Sequence, residues 1–131
     1  MKKKFYFLVL FALLFAVLFV GCTKDHGEAP DKEPPVITLI SPNNNQAFAL
    51  GQSIAISADV KDQSKIEEIH LEITNATTGA FLIHEHYAPD SSAYKLTSSF
   101  AAPSAATYKI RVEADDEKGN SSDTEVRVSV N

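Results

Sequence analysis

Apolar and polar residues alternate along most of the chain after Pro35. The alternation is clear in residues 53–60, where every second side chain is apolar, and it recurs at residues 125–130. A period of two is typical of β-strands that have one face on a core and the other in solvent. Gly, Pro, Asn and Ser, which favour turns, separate these segments. The pattern predicts an all-β fold.

About seven short strands fit between Val36 and Asn131, at the spacing of an antiparallel β-sandwich. We predict them near residues 36–40, 53–60, 68–73, 81–87, 94–100, 108–114 and 125–130. Two such sheets, packed about 10 Å apart, would bury the apolar faces of the strands against each other. We therefore assign residues 36–131 to one domain.

The first 21 residues have a different pattern. Lysines at positions 2 to 4 precede an uncharged run, residues 5–20, and Gly21 follows it. This order of basic, apolar and small residues is typical of a secretory signal peptide. The alternative is a retained membrane helix, but spanning the hydrocarbon core takes roughly 20 apolar residues and the run has 16. The sequence predicts a signal peptide over residues 1–21.

The chain's single cysteine, Cys22, ends the stretch "LFVGC". This stretch resembles the lipobox of bacterial lipoproteins: Val20, Gly21 and Cys22 match, while Phe19 stands where leucine is usual. The resemblance implies that the Cys22 thiol carries a lipid and that the mature chain begins there. A lone cysteine cannot form an intramolecular disulfide, so an attachment role explains it better than a structural one.

Residues 23–35, "TKDHGEAPDKEPP", are too polar to form a core of their own. We interpret residues 22–35 as the lipidated cysteine and a flexible linker, which fully extended would reach about 40 Å. Lys24 and Asp25 resemble the surface-export signal of Bacteroidetes-type lipoproteins, but His26 interrupts it. An envelope location, at the outer membrane, is expected, with the cell surface and the periplasmic face both open.

From Cys22 onward the chain has 9 basic and 17 acidic residues, a net charge of −8 with neutral histidines. Proteins that bind phosphate backbones need clustered positive charge, so nucleic acid is not an expected partner. The same charge cannot hold the protein on an anionic membrane surface, which leaves the lipid as the expected membrane contact.

The two ends of the domain resemble known modules. Residues 106–130, "ATYKIRVEADDEKGNSSDTEVRVSV", look like the last two strands of fibronectin type III and bacterial Ig-like domains, and residues 34–73 resemble their first strands. The resemblance implies an Ig-like sandwich in which Tyr108 forms the tyrosine corner. It extends to uncharacterised Ig-like lipoproteins of Bacteroidetes. Such a fold implies no particular activity.

A histidine group is the first candidate for chemistry. If "NATTGA" (residues 75–80) closes a hairpin that points Phe81 and Ile83 inward, the histidines point outward. This hairpin would place His84 opposite His70, and His86 opposite Glu68. Together with Glu68 or Glu72, three imidazoles would then suit Zn²⁺ or Cu²⁺. The alternative is an ordinary polar face, since "HEH" has no spacing that demands a metal.

An acidic group is the second candidate. In an Ig-like sandwich the second-to-third and sixth-to-seventh strand connections lie at one end, so Asp62 would approach Asp115, Asp116 and Glu117. With Asn120, these groups offer the oxygen ligands that Ca²⁺ prefers. The alternative is a solvated turn, because "DDEKGN" lacks the alternating spacing of a calcium loop.

Catalysis is not expected. The chain has no glycine-rich phosphate loop, no "GxSxG" and no "HExxH", and its thiol is assigned to the lipid. Two hypotheses compete: a lipid-tethered binding or structural module, and a metal-binding lipoprotein. For the module, a protein partner is favoured over a glycan, because tryptophan is absent. Coplanar, exposed rings at Tyr87 and Tyr94 would reverse that preference.

Overall fold

The computed structural model of the protein describes residues 30–131, which contain strands and no helix. The strands are β1 (Val36–Ser41), β2 (Gln46–Phe48), β3 (Ser53–Asn75), β4 (Phe81–Tyr87), β5 (Ser91–Ala101), β6 (Ala106–Asp116) and β7 (Ser121–Val130). The prediction of a seven-stranded all-β fold is confirmed. The predicted signal peptide and Cys22 lie outside the described residues. No helix in the described part of the chain has the length and apolar character to cross a membrane.

The strands form two layers that share β3. The first half of β3 pairs with β1 and β5, and its second half pairs with β4 and β6. Strand β7 extends the second layer from β6, and the short β2 pairs with β7 in parallel. One layer is therefore β1-β3-β5 and the other is β4-β3-β6-β7-β2, with all pairs except β2·β7 antiparallel.

The sequence pattern predicts a loop at Asp62 between two separate strands. Instead β3 runs for 23 residues through this point, and its ladder is interrupted between Lys61 and Ile66. At the interruption, the Asp62 Oδ1 atom accepts a hydrogen bond from the Ser64 N–H at 2.6 Å. A side-chain acceptor thus replaces the missing ladder partner, so the extended chain can turn from one layer into the other without a loop.

The core lies between the layers, as the alternation predicted. Ile54 and Val60 of the first layer, and Leu71 and Val112 of the second, are fully buried. Tyr108 is buried too, and its hydroxyl donates a hydrogen bond to the Ser104 carbonyl oxygen at 2.8 Å. The prediction of a tyrosine corner is confirmed.

The β3–β4 hairpin differs from its predicted register. The Asn75 side chain accepts hydrogen bonds from the Thr77 and Thr78 N–H groups, and the Asn75 N–H bonds to the Ala80 carbonyl. This turn sets His70 opposite His86 and Glu72 opposite His84, two residues away from the expected pairing. Since a shift of two preserves the faces, both β4 histidines still point outward.

One inward-facing residue was predicted wrongly in this hairpin. Pairing passes from Ile73 with Ile83 to Thr74 with Phe81, which leaves Leu82 as a bulge. The extra residue turns Phe81 to the outer face, where 65% of it is exposed, while Ile83 still packs against the core.

Candidate functional site

The three histidines of the second layer form the strongest candidate site. His70 comes from the middle of β3, and His84 and His86 come from β4, which is an edge strand. Together with Glu68, which precedes His70 by two residues, they form what we call the histidine face. Because β4 alternates, Ile83, Glu85 and Tyr87 point toward the other layer while the histidines point away from it.

The imidazole rings of the histidine face lie close together. The ring centroids of His70 and His86 are 4.3 Å apart, and those of His84 and His86 are 4.5 Å apart. One ring nitrogen from each of the three histidines lies within 4.8 Å of the other two. The exposed Phe81 ring stacks on His84 from the turn side, with 5.9 Å between centroids. The bulge therefore adds an apolar wall that the predicted register did not include.

Glu68 connects two of these rings. Its Oε1 lies 2.9 Å from His86 Nδ1, and its Oε2 lies 3.3 Å from His70 Nε2. The hydrogen bond from His86 lowers the pKa of the Glu68 carboxyl, and His70 adds to that effect. The carboxylate thus stays ionised beside the imidazoles, where it can orient them or share a cation with them.

Further carboxylates surround the histidine face. Glu72 Oε1 lies 3.6 Å from His84 Nε2, and its second oxygen lies 3.6 Å from an Arg111 nitrogen. Asp115 has a carboxylate oxygen within 4.8 Å of ligand atoms of Glu68 and His70. The prediction that Asp115 belongs to the acidic group is wrong. Asp115 points to the histidine face instead, because side chains alternate along β6 and its neighbour Asp116 points to the other side.

The acidic group also forms, with a different membership. Carboxylate oxygens of Asp31, Asp62 and Asp116 lie within 4.8 Å of one another. Asp62 and Asp116 were predicted to meet and do so. Asp31 was missed, because it lies in the proline-rich segment that we assigned to the linker and carries no periodic signal. It is held there by a 2.5 Å hydrogen bond from Ser64 Oγ.

Asp116 organises the turn between β6 and β7. Its Oδ1 accepts hydrogen bonds from the Lys118 and Asn120 N–H groups, both at 2.8 Å, and its Oδ2 accepts one from Asn120 Nδ2 at 2.7 Å. Burial alone would raise the pKa of this carboxyl, which is 1% exposed, but the hydrogen bonds outweigh burial and lower the pKa. Asn120, predicted as an oxygen ligand, presents its amide NH₂ group to Asp116.

Asp62 is affected differently. Burial raises the pKa of its carboxyl, and the charges of Asp116 and Asp31 raise it further, against the Ser64 N–H bond that lowers it. The acidic group therefore combines a buried turn acid, Asp116, that is held by backbone and amide donors, with Asp62, which is repelled by the charges of Asp116 and Asp31. Its hydrogen bonds fit a structural turn in which Gly119, with φ of +83°, takes the left-handed position.

Tyr87 and Tyr94 do not form a flat platform. Their ring centroids are 5.8 Å apart and their planes are inclined by 44°, and both residues are half-buried. The Tyr87 hydroxyl donates a 2.5 Å hydrogen bond to Glu85 Oε2, which also accepts one from Ser98 Oγ. Burial and this carboxylate raise the pKa of Tyr87 to about 12. The two rings pack against the core where β4 and β5 meet. They lack the coplanar, exposed geometry that sugar stacking would need.

The fold matches solved structures of small β modules. The fibronectin(III)-like modules of Clostridium thermocellum CbhA align with a TM-score of 0.51 and 23% identity over 72% of this chain and 94% of theirs. The superoxide reductase (neelaredoxin) from Ignicoccus hospitalis aligns with a TM-score of 0.50 and 10% identity, over 76% of this chain and 81% of its own. At these identities the likeness concerns the fold alone, and it defines a fibronectin type III-like sandwich.

The chain belongs to the family described as Domain of unknown function (DUF4625), whose model matches residues 20–131. No curated protein matches the chain. The fibronectin-like fold and the family together are consistent with a binding or structural module.

Proposed function

We propose that the protein is a lipoprotein of the bacterial envelope, anchored through lipid on Cys22, and that its sandwich is a non-catalytic module that binds another protein. The sequence "LFVGC" is the observation that carries the anchoring part. A single acyl chain gives only marginal attachment, so the several chains that the lipobox resemblance implies are what make the anchor stable.

One observation supports the anchor. The family match begins at residue 20, so Cys22 and the linker belong to the family region while most of the apolar run precedes it. The linker ends on the sandwich: the Ser122 hydroxyl bonds to the Pro35 carbonyl, and Asn120 Nδ2 donates to the Asp31 carbonyl at 3.3 Å. These contacts hold Asp31 and Pro35 against the end of the domain that contains the acidic group.

The outer face of the larger layer supports a binding role. Arg111 lies at its centre and contacts Glu113 at 2.8 Å and Asp123 at 3.2 Å. On this face Lys109 and Arg127 flank Glu125, so positive and negative charges alternate across β6 and β7. Mixed charge of this kind gives specificity to protein interfaces more than it stabilises the free fold.

A protein partner is favoured over a glycan by the aromatic residues. Sugar rings stack on exposed, flat aromatic surfaces, whereas Tyr87 and Tyr94 are tilted and half-buried, and the chain has no tryptophan. Phe81 is the one large aromatic exposed on the described surface, and it already stacks on His84.

The anchor is tested by intact-mass analysis of the protein extracted in detergent from the cells that make it. We expect a chain that starts at Cys22 and carries added acyl mass. The Cys22→Ser variant should lose that mass and be released or mislocalised, while Thr23→Ser, a matched change at the next residue, should do neither. An unmodified chain beginning at Met1 would exclude the anchor.

The binding role is tested by photo-crosslinking in the same cells. A crosslinker at position 109, on the outer face of the larger layer, should form a protein adduct that Arg111→Glu weakens. A crosslinker at position 95, an exposed site on β5 in the other layer, is the control. Equal adducts from both positions, or none from position 109, would contradict a binding role for this face.

A further inference from the structure

We propose that the histidine face binds one Zn²⁺ or Cu²⁺ ion, with His70, His84 and His86 as direct ligands and Glu68 as the carboxylate that positions them. The observation that carries this inference is the convergence of three ring nitrogens, one from each histidine, to within 4.8 Å of one another. The inference concerns the sandwich only and does not depend on the lipid anchor.

The backbone places the ligands without loops. His70 and His86 are direct cross-strand partners, and His84 is two residues from His86 on the same face. Direct partners in an antiparallel pair have Cβ atoms about 4.5–5.5 Å apart, and same-face neighbours along a strand are also within reach of long side chains. A site on paired strands is held more firmly than one on loops, so metal binding requires side-chain rotation and no rearrangement of the sheet.

The rotation required is small. Ligand nitrogens at about 2.0–2.1 Å from a tetrahedral Zn²⁺ lie roughly 3.4 Å apart, so each nitrogen has to move by about 1 Å or less from its present position. The side chains of His84 and His86 are 46% and 50% exposed, which leaves them free to turn. His70, at 20% exposure, is the fixed ligand on which the other two converge.

Glu68 holds the correct rings. In metal sites, a ligating imidazole commonly donates its other ring N–H to a carboxylate, which fixes the ring and raises its basicity. Glu68 can do this for rings that bind the ion through their other nitrogen, and it lies 2.9 Å from His86 Nδ1 and 3.3 Å from His70 Nε2. Glu72 Oε1 lies 3.6 Å from His84 Nε2, beyond hydrogen-bond distance, and adds negative charge beside the third ring.

The donor set selects the class of metal. Imidazole nitrogen suits Zn²⁺ and Cu²⁺, whereas Ca²⁺ and Mg²⁺ prefer oxygen ligands. The nearby carboxylates of Glu68, Glu72 and Asp115 provide negative charge to balance a divalent ion. With three protein nitrogens bound, a fourth position stays open to water, as in sites with three histidine ligands.

The test uses the full chain in detergent with Cys22→Ser, so that no thiol competes for metal. Isothermal titration with Zn²⁺ and with Cu²⁺ should give one ion per chain, with a Kd below about 100 µM. At an ion concentration of about 100 times Kd, the unfolding temperature should rise by roughly 11–22 °C. The Cu²⁺ form should show nitrogen hyperfine structure from three imidazoles in its electron paramagnetic resonance spectrum.

Variants of the histidines in the site are compared with a variant of His26, the histidine that lies outside it. His84→Ala and His86→Ala, which alter exposed side chains, should each weaken binding by more than the 10–100-fold expected for loss of an outer carboxylate. Glu68→Gln should weaken it by about that 10–100-fold while keeping the three-nitrogen spectrum. His26→Ala changes the fourth histidine of the chain and should leave both affinity and spectrum unchanged. Circular dichroism of each variant checks that the fold is retained.

Three results would overturn the proposal. The first is a Kd weaker than about 100 µM for both ions. The second is binding that survives His84→Ala and His86→Ala in variants that remain folded. The third is a loss with His26→Ala as large as the loss with His84→Ala, which would show that the ion is held by scattered histidines and not by this face.

Discussion

The tyrosine corner gives the sharpest test of the fold. The Tyr108 ring is fully buried, and its hydroxyl donates to the Ser104 carbonyl at 2.8 Å and lies 3.2 Å from Ser104 Oγ. Replacing Tyr108 with Phe keeps the ring in the core beside Phe100, with which it makes an edge-on contact at 5.7 Å. Only the hydroxyl is lost, so the variant isolates the hydrogen bond from the packing.

The expected cost follows from the burial of the hydrogen bond. Removing one partner of a buried hydrogen bond leaves the other desolvated and unpaired, which costs about 1–3 kcal/mol. Ser104 is itself exposed, so water can reach its carbonyl in part, and we expect about 1–2 kcal/mol for Tyr108→Phe. For a domain of about 100 residues this corresponds to a fall in Tm of roughly 4–16 °C.

Urea unfolding followed by circular dichroism measures this cost. The midpoint should fall while the dependence on urea keeps its slope, because the buried area hardly changes. Tyr94→Phe is the matched control: that residue is half-buried, and a change at an accessible site is expected to stay within about 0.5 kcal/mol. Equal stability of the Tyr108→Phe variant and the parent would refute the argument that this hydrogen bond closes the corner.

Three further changes test the turns and the strand junction. Asp116→Asn should lower the stability of the fold at neutral pH. It should also abolish the loss of stability that the parent shows below pH 3.8, the ordinary pKa of this carboxyl, because a pKa lowered in the folded state stabilises the fold only above that value. Acid titrations of both proteins measure this. The parent should lose stability as pH rises from 10 toward about 12, because the raised pKa of Tyr87 keeps the phenol neutral in the folded state, and Tyr87→Phe should remove this loss. Unfolding of both proteins at pH 8 and pH 11 measures this, and an equal change in the two proteins would contradict it. Gly119→Ala should cost about 1 kcal/mol through its φ of +83° although open space surrounds it, and an unchanged Tm would show that the turn relaxes.

Most of the fold could be predicted from local pattern. In a half-buried strand apolar and polar residues alternate, so the core positions of Ile54 and Leu71 could be predicted from this alternation alone. The continuity of β3 could not be predicted from the alternation, because "VKDQSK" contains polar residues that favour a loop. Its extended course depends on the local hydrogen bond between Asp62 and Ser64 and on Asp116 in the β6–β7 turn, which is distant in the sequence.

The sequence predicted which histidines form the candidate site better than it predicted how they are arranged. The sequence predicted that the two β4 histidines share a face with His70, because side chains alternate along a strand and a register shift of two residues leaves each side chain on the same face. Their pairing and the outward Phe81 depended on the Asn75 turn and the Leu82 bulge, whose hydrogen bonds no periodicity reports. The acidic group shows the same limit, since Asp31 joins it from a segment without any pattern.

The sequence by itself determined that the chain makes half-buried strands and that Tyr108 lies in one of them. Those properties depend on residue type and on neighbours within a few positions. Only the tertiary structure decided that His86 faces His70, that Asp115 joins the histidines and that Asp31 joins Asp116. Such contacts depend on turn geometry and on the meeting of distant strands, and both are set by packing of the whole sandwich.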